Sequence, residues 1–251
     1  MEGELHPIKT CNSCQSEIAE SYKFCNICGE IQLQTCKVEY HSKWLSLKQV
    51  ALFFVTQIVI CLLPLAVEQD DIESSLLLDT LSAIVCLIFF GYNWRENCKV
   101  LSWPSFSLKK VVFYSFIAIL ASLAVQYIVG KLNVVIFQKE QSYYDTFEYH
   151  PYGKYLMVLS IAIFPAVFEE LAFRGFVLQK LLKVVDRQQA VYITSVLFFI
   201  IHFSLISVFW LLPFALVLGF IRLRENTIWY SIIIHFLFNL TACLNEVYNV
   251  F

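Results

Sequence analysis

Glu169 and Glu170 stand side by side at the end of Tyr155 to Phe168, an apolar stretch without a charged residue, and Arg174 follows one helical turn later. An ionisable group at membrane depth costs about 2.5 kcal/mol or more, so this cluster needs a compensating use, and chemistry is the first to consider. Glu170 and Arg174 are four apart and share a helical face, where they can pair, while Glu169 is rotated by about 100° and points elsewhere. Two further polar patches sit in apolar sequence. Phe198 and His202 are four apart, which sets an aromatic ring beside an imidazole, and His235 and Asn239 are four apart near the C-terminus.

A carboxylate and a histidine converging on one water form a general base, and a His with an Asn can donate hydrogen bonds to a developing oxyanion. Together they are the minimum for amide hydrolysis without a covalent intermediate. Each part alone has a plainer reading. A Glu170–Arg174 pair fixes a helix, a lone His in an apolar helix is commonly an interhelical hydrogen-bonder, and Ser160 and Ser195, with no base at a recognisable spacing, read as packing residues. The conjunction favours chemistry, because these groups recur in three segments of the last 100 residues while the first three apolar segments carry almost nothing ionisable inside.

The elements that must position them are membrane helices. Hydrophobic residues make up 59% of the 251-residue chain and charged ones 15%, far from the globular balance. Five apolar segments approach the length of a crossing: Gln49 to Val67, Leu76 to Trp94, Val111 to Gly130, Tyr155 to Phe168 running on into the glutamates, and Thr227 to Leu244. A sixth region, Ala190 to Ile221, has 32 residues where two crossings need about 40, and is broken near His202-Phe203-Ser204 and by Pro213, so it reads as a short hairpin that dips in and returns. The fold class is all-α, a polytopic transmembrane bundle of about seven to eight membrane helices. At 1.5 Å per residue His202 lies about 18 Å from Ala190 and His235 about 12 Å from Thr227, so bringing them together requires tilt, a helix start inside the membrane, or a later start.

No secretory signal peptide is visible, so the first apolar segment must do the targeting. Lys37, Lys43 and Lys48, then Arg95, Lys99, Lys109 and Lys110, then Lys180, Lys183 and Arg187, then Arg222 and Arg224 fall in alternate connections, against an acidic loop of Glu68, Asp70, Asp71 and Glu73. This charge pattern predicts a cytosolic N-terminus, with the mixed Lys131 to Lys154 loop outside. A net charge of −2 and no basic face argue against a nucleic-acid partner.

Before the first apolar segment, Cys11-Asn12-Ser13-Cys14 and Cys25-Asn26-Ile27-Cys28-Gly29 present two thiolate pairs at the spacing of a four-cysteine zinc site. Each pair forms a knuckle, Gly29 permits the turn, and four sulfurs close a tetrahedron with no position open for water, which makes the zinc structural. A segment this short cannot bury a core, so metal binding would supply most of its folding energy. Disulfides are the alternative, disfavoured by a reducing cytosol. Cys36 and Cys98 carry no motif, and Cys61, Cys86 and Cys243 read as packing residues in apolar helices. The chain divides into a zinc ribbon at 1–30, a linker at 31–48 and a transmembrane domain at 49–251 with a core at about 150–245.

Phe168-Glu169-Glu170-Leu171-Ala172-Phe173-Arg174-Gly175-Phe176, Phe198-Phe199-Ile200-Ile201-His202 and His235-Phe236-Leu237-Phe238-Asn239, as an ordered set, resemble the three motifs of the CAAX-protease and bacteriocin-processing (Abi-type) family of intramembrane glutamic proteases. The resemblance implies that Glu169 and His202 activate water, that His235 and Asn239 form the oxyanion hole, that Glu170, Arg174 and Phe198 support them, and that a helical bundle holds a cavity open to cytosol and bilayer. No cofactor is implied at that site, although two His and one Glu would also be an acceptable zinc set. The expected function is an intramembrane endopeptidase acting on a membrane-associated protein or peptide in a bacterial inner membrane, since a zinc ribbon fused to this domain looks bacterial. The alternative is a non-catalytic scaffold, immunity or sensing protein whose ribbon binds a partner. A transporter would usually show internal repeats, and none is evident.

Overall fold

A computed structural model describes residues 8–11, 13–19, 22, 24–30, 34–67, 72–104, 106–137, 144–204 and 207–248. Glu68, Asp70 and Asp71 of the acidic loop and part of the loop assigned to the outside lie beyond the described residues. The chain forms two compact units, Met1–Lys48 and Gln49–Phe251.

The first unit carries a two-stranded antiparallel sheet, β1 (Ile8–Thr10) with β2 (Glu17–Ala19), in the register Ile8 with Ala19 and Thr10 with Glu17. Its two knuckles are near copies. Gln15 N–H donates to Cys11 O at 3.0 Å and Gly29 N–H to Cys25 O at 2.9 Å, while Cys11 N–H donates to Ser16 O and Cys25 N–H to Glu30 O. The residue after each second cysteine is left-handed, Gly29 at φ +76° as expected and Gln15 at φ +63° against the usual steric preference. The segment assigned as a linker is helical from Gln34, because α1 runs unbroken over Gln34–Val67.

Each expected apolar segment falls mostly in a helix long and apolar enough to cross a membrane: Ser42–Leu63 within α1, Ile72–Tyr92 (α2), Leu108–Leu132 within α4 (Leu108–Phe137), the long helix Gly153–Leu181, and Trp229–Tyr248 (α9). Short α3 (Trp94–Asn97) joins α2 towards α4. The hairpin is α7 (Arg187–Ile200) and α8 (Val208–Glu225). At 14 residues α7 reaches about 21 Å, too short to cross, whereas the 18 residues of α8 reach about 27 Å, so the two arms are unequal. Asp186 caps α7, accepting from Gln188 N–H at 3.0 Å and Gln189 N–H at 2.9 Å, and Asn226 at φ +52° ends α8. The capped start is earlier than Ala190, which removes a later helix start as the way to bring the histidines together.

Apolar side chains cover the outside as well as the core. Leu77, Ile88, Val112, Phe116 and Ile128 are exposed on α2 and α4, as lipid-facing positions are. Inside, Phe53 of α1 meets Phe89, Phe173 and Phe176 edge-on at 5.4 to 5.7 Å. Gly175 lies so close to α2 that a Cβ there would fall 2.6 Å from the Phe90 ring. Polar stitches join helices where water is scarce: Ser122 Oγ donates to Phe238 O at 2.7 Å and Ser231 Oγ to Leu218 O at 3.1 Å.

Basic and aromatic side chains tie connections of the second unit to one another. Lys180 Nζ and Lys183 Nζ reach Glu96 at 3.3 and 2.6 Å, Lys110 Nζ reaches Glu225 at 2.5 Å, and Trp229 Nε1 donates to Leu101 O at 2.7 Å. Lys183 beside Glu96 holds its carboxyl below the usual range.

Candidate active site

The long helix Gly153–Leu181 is not a plain α-helix. Between α5 (Gly153–Met157) and α6 (Leu178–Leu181), the stretches Val158–Ile163 and Pro165–Val177 are π-helical, a widened register found mostly in short pieces and often at functional sites. The N–H of Phe164 accordingly reaches back five residues to Leu159 O. Pro165, whose ring nitrogen has no hydrogen to donate, opens the second stretch. Asn239 Nδ2 on α9 donates to Ile161 O at 2.8 Å and so ties α9 to this irregular turn.

Glu170 faces inward and is fully buried. Arg174 Nη1 donates to its Oε1 at 2.9 Å, and His235 Nδ1 lies 3.0 Å from the same oxygen. Arg174, 1% exposed, also donates through Nη2 to Ala215 O on α8 at 3.1 Å and lies over the Phe198 ring at 4.5 Å. Its own carbonyl accepts from Arg222 Nε at 3.2 Å. An ionised Glu170 only accepts, so the proton of His235 sits on Nδ1, and Nε2 is turned towards Glu169 with 3.9 Å between Nε2 and Oε2.

That separation is too long for a hydrogen bond and short enough for one water to touch both atoms. Glu169 Oε2 is buried and has no hydrogen-bond partner among the described residues. Glu169 and His202 line one cavity of about 210 Å³ together with Gln57, Cys61, Ser82, Cys86, Phe173 and Ile201. His202 Nδ1 is 2.8 Å from Phe198 O, an acceptor, which places its proton there and leaves Nε2 as a lone pair. Phe198 is the shared neighbour of the two imidazoles, with its centroid 4.8 Å from His202 and 6.2 Å from His235. The structure therefore gathers Glu169, Glu170, Arg174, Phe198, His202 and His235, and sets Asn239 one turn along α9 with its amide on Ile161 O.

Two polar features escape a reading of spacing alone. Asp79, in the middle of α2, accepts a hydrogen bond from Ser160 Oγ, so one of the first three apolar segments does carry an ionisable group inside, and Ser160 is more than packing. Gln57 on α1, 2% exposed, forms part of the cavity wall opposite the motif helices. Both partners come from helices distant in sequence. The only local signal was a lone polar residue in an apolar run.

In the first unit the sulfurs of Cys11, Cys14, Cys25 and Cys28 all lie within 4.8 Å of one another, with Cys11 to Cys28 and Cys14 to Cys25 at 3.6 Å. Four soft donors from two knuckles form a metal-ligand set. Ser16 beside Cys14 draws its thiol down to about 6. At Cys28 the Glu30 backbone N–H favours the thiolate, but Cys14, desolvation and the other sulfurs outweigh it and push the thiol up to about 12, a crowding of sulfurs that a bound cation relieves. Among the described residues this is the group gathered tightly enough to hold a metal, and Glu169, His202 and His235 are not drawn together in that way.

No curated protein and no solved structure matches the chain. Residues 151–241 match the family model described as Rce1-like, type II CAAX prenyl endopeptidase Rce1-like. The match takes in Glu169, Glu170, Arg174, Phe198, His202, His235 and Asn239, and leaves out Gln57, Asp79 and the cysteine unit. Over these residues the chain is similar to that endopeptidase family.

Proposed function

We propose that this chain is an intramembrane endopeptidase that hydrolyses a peptide bond in a membrane-associated protein or peptide with a water activated by Glu169 and His202. One observation carries the reading: a carboxylate oxygen with no donor among the described residues, Glu169 Oε2, belongs to a residue lining the same cavity as His202 within a segment matching a CAAX endopeptidase family. Buried polar atoms are almost always paired, and one that is not calls for a partner such as a bound water or a substrate group.

In the mechanism Glu169 takes a proton from the water, assisted by the Nε2 lone pair of His202, and the hydroxide adds to the substrate carbonyl. His235 Nε2, when protonated, faces the developing oxyanion, and Glu170 on Nδ1 sustains that charge. Collapse of the tetrahedral intermediate returns the proton to the departing amine, leaving a carboxylate and an amine. No step passes through a metal. Asn239 is the second donor by family resemblance, and the second N–H of its amide remains for that role once the first is on Ile161 O.

The four cysteines hold a structural zinc in this reading, and the charge pattern puts the basic connections and the N-terminus in the cytosol. The competing reading, a non-catalytic membrane module, draws on Asn239 holding Ile161 O and Arg174 holding Ala215 O, both of which lock helices together. Quantitative peptide mapping of membranes carrying wild type or Glu169→Gln separates the two. The peptidase reading expects a cleavage product present only with wild type. Identical peptide maps, with a lower melting temperature in the variant, would support the module instead.

A further inference from the structure

Gln57 lines the cavity together with Cys61, Ser82 and Cys86 outside the motifs and the family match, and among these four it carries the side-chain amide. It stands on α1, outside residues 151–241, and its side chain is inside the bundle rather than facing lipid. Its amide has a defined orientation. Oε1 accepts from Ser82 Oγ at 3.0 Å, and on the other side Ser82 O, which can only accept, lies 3.5 Å from Nε2. The remaining neighbour of Nε2 is Cys86 Sγ at 3.3 Å. A thiol sulfur is a weak acceptor and 3.5 Å is the limit of a hydrogen bond, so two N–H groups on the wall of this cavity are only weakly engaged.

Amide hydrolysis needs such donors. His235 commits Nδ1 to Glu170, and Asn239 commits one N–H to Ile161 O. Neither His235 nor Asn239 lines the cavity that Glu169 and His202 line, whereas Gln57 does. A neutral donor also suits this wall better than a cation would. Lys or Arg there would pair with Glu169 and suppress it as a base, while a carboxamide leaves it free and still meets a developing negative charge with a bond stronger than those to sulfur or a distant carbonyl.

The geometry points to Gln57 as a further catalytic residue, whose Nε2–H donates to the carbonyl oxygen of the scissile bond as that oxygen gains charge. The inference rests on the peptidase reading above. It makes α1 part of the active site and extends the reacting centre beyond the three motifs.

The test uses the full-length protein and a synthetic peptide spanning the cleavage site mapped by comparing wild-type and Glu169→Gln membranes. Gln57→Met keeps the length of the side chain without its donors, Gln57→His restores an N–H at similar reach, and Ser122→Ala removes a helix-to-helix bond away from the cavity as the control for stability alone. With an oxyanion donor lost, Gln57→Met should lower kcat about 100-fold or more with KM within about twofold, at a melting temperature matching Ser122→Ala. Ser122→Ala should keep kcat within about threefold, and Gln57→His should recover part of the loss. A kcat for Gln57→Met equal to that of Ser122→Ala, or a loss confined to KM, overturns the role of Gln57 and leaves the peptidase reading standing. If wild-type and Glu169→Gln maps are identical, the peptidase reading falls and this one with it. Should Gln57→Met fail to fold, Gln57→Leu and Gln57→His carry the same comparison, and equal kcat in those two overturns the proposal.

Discussion

Glu170 has Arg174 at 2.9 Å and His235 at 3.0 Å on Oε1 with its Oε2 unpaired, while Glu169 Oε2 next to it has no hydrogen-bond donor among the described residues. The same residue type is thus held by partners in one case and left available in the other, and the two should answer differently to substitution. Arg174→Leu strands a fully buried carboxylate, and breaking a buried pair in this way costs about 3–5 kcal/mol, read as a large drop in melting temperature in detergent. Glu169→Gln removes a charge whose nearest opposite group, His235 Nε2 at 3.9 Å, makes no direct hydrogen bond to it, so its melting temperature should stay within a few degrees of wild type. The motif spacing was sufficient to pair Glu170 with Arg174 and to set Glu169 apart, because both facts are local to one helix. Gln57 and the Asp79–Ser160 pair were not legible that way, since each is defined by a partner on a helix distant in sequence. The bond from His235 to Glu170, across 65 residues, was likewise beyond the reach of spacing.

At the scale of elements, hydropathy marked the five segments that fall, among the described residues, in helices long and apolar enough to cross a membrane, with boundaries differing by a few residues as helix ends usually do. It could not show that the long helix is π-wound around Pro165, because the register follows from packing against α2 and α9 rather than from composition. It also marked the hairpin but not the unequal lengths of its arms, since apolar character continues through Phe203 where the backbone turns at φ +47°. The shorter arm depends on its first turn. Asp186→Ala leaves the N–H groups of Gln188 and Gln189 without their acceptor and should destabilise the protein by about 1 kcal/mol. Asp186→Ser should restore most of that in a chemical-denaturation measurement, and an unchanged midpoint for Asp186→Ala would show that the cap does not hold α7.

For the whole molecule, the cysteine unit and the membrane unit have separate sources of stability. The first relies on four sulfurs within 4.8 Å of one another and a two-stranded sheet, the second on helix packing. Metal analysis of purified protein should find about one zinc per chain, lost in Cys11→Ser with Cys28→Ser. A strong chelator should then open residues 8–30 to proteolysis while the membrane helices keep their protection. Simultaneous loss of both would contradict independent stability. Paired Cys-x-x-Cys spacing made the cysteine cluster readable in advance, because a knuckle is local. What the unit binds beyond a metal has no comparable local signature.

The most direct test of the central claim is the rate at which purified, folded Glu169→Gln releases the cleavage product found with wild type, compared at equal melting temperature and equal protein concentration. With Glu169 as the base that activates water, the variant should be slower by about 100-fold or more. A rate within a few-fold of wild type would contradict the account.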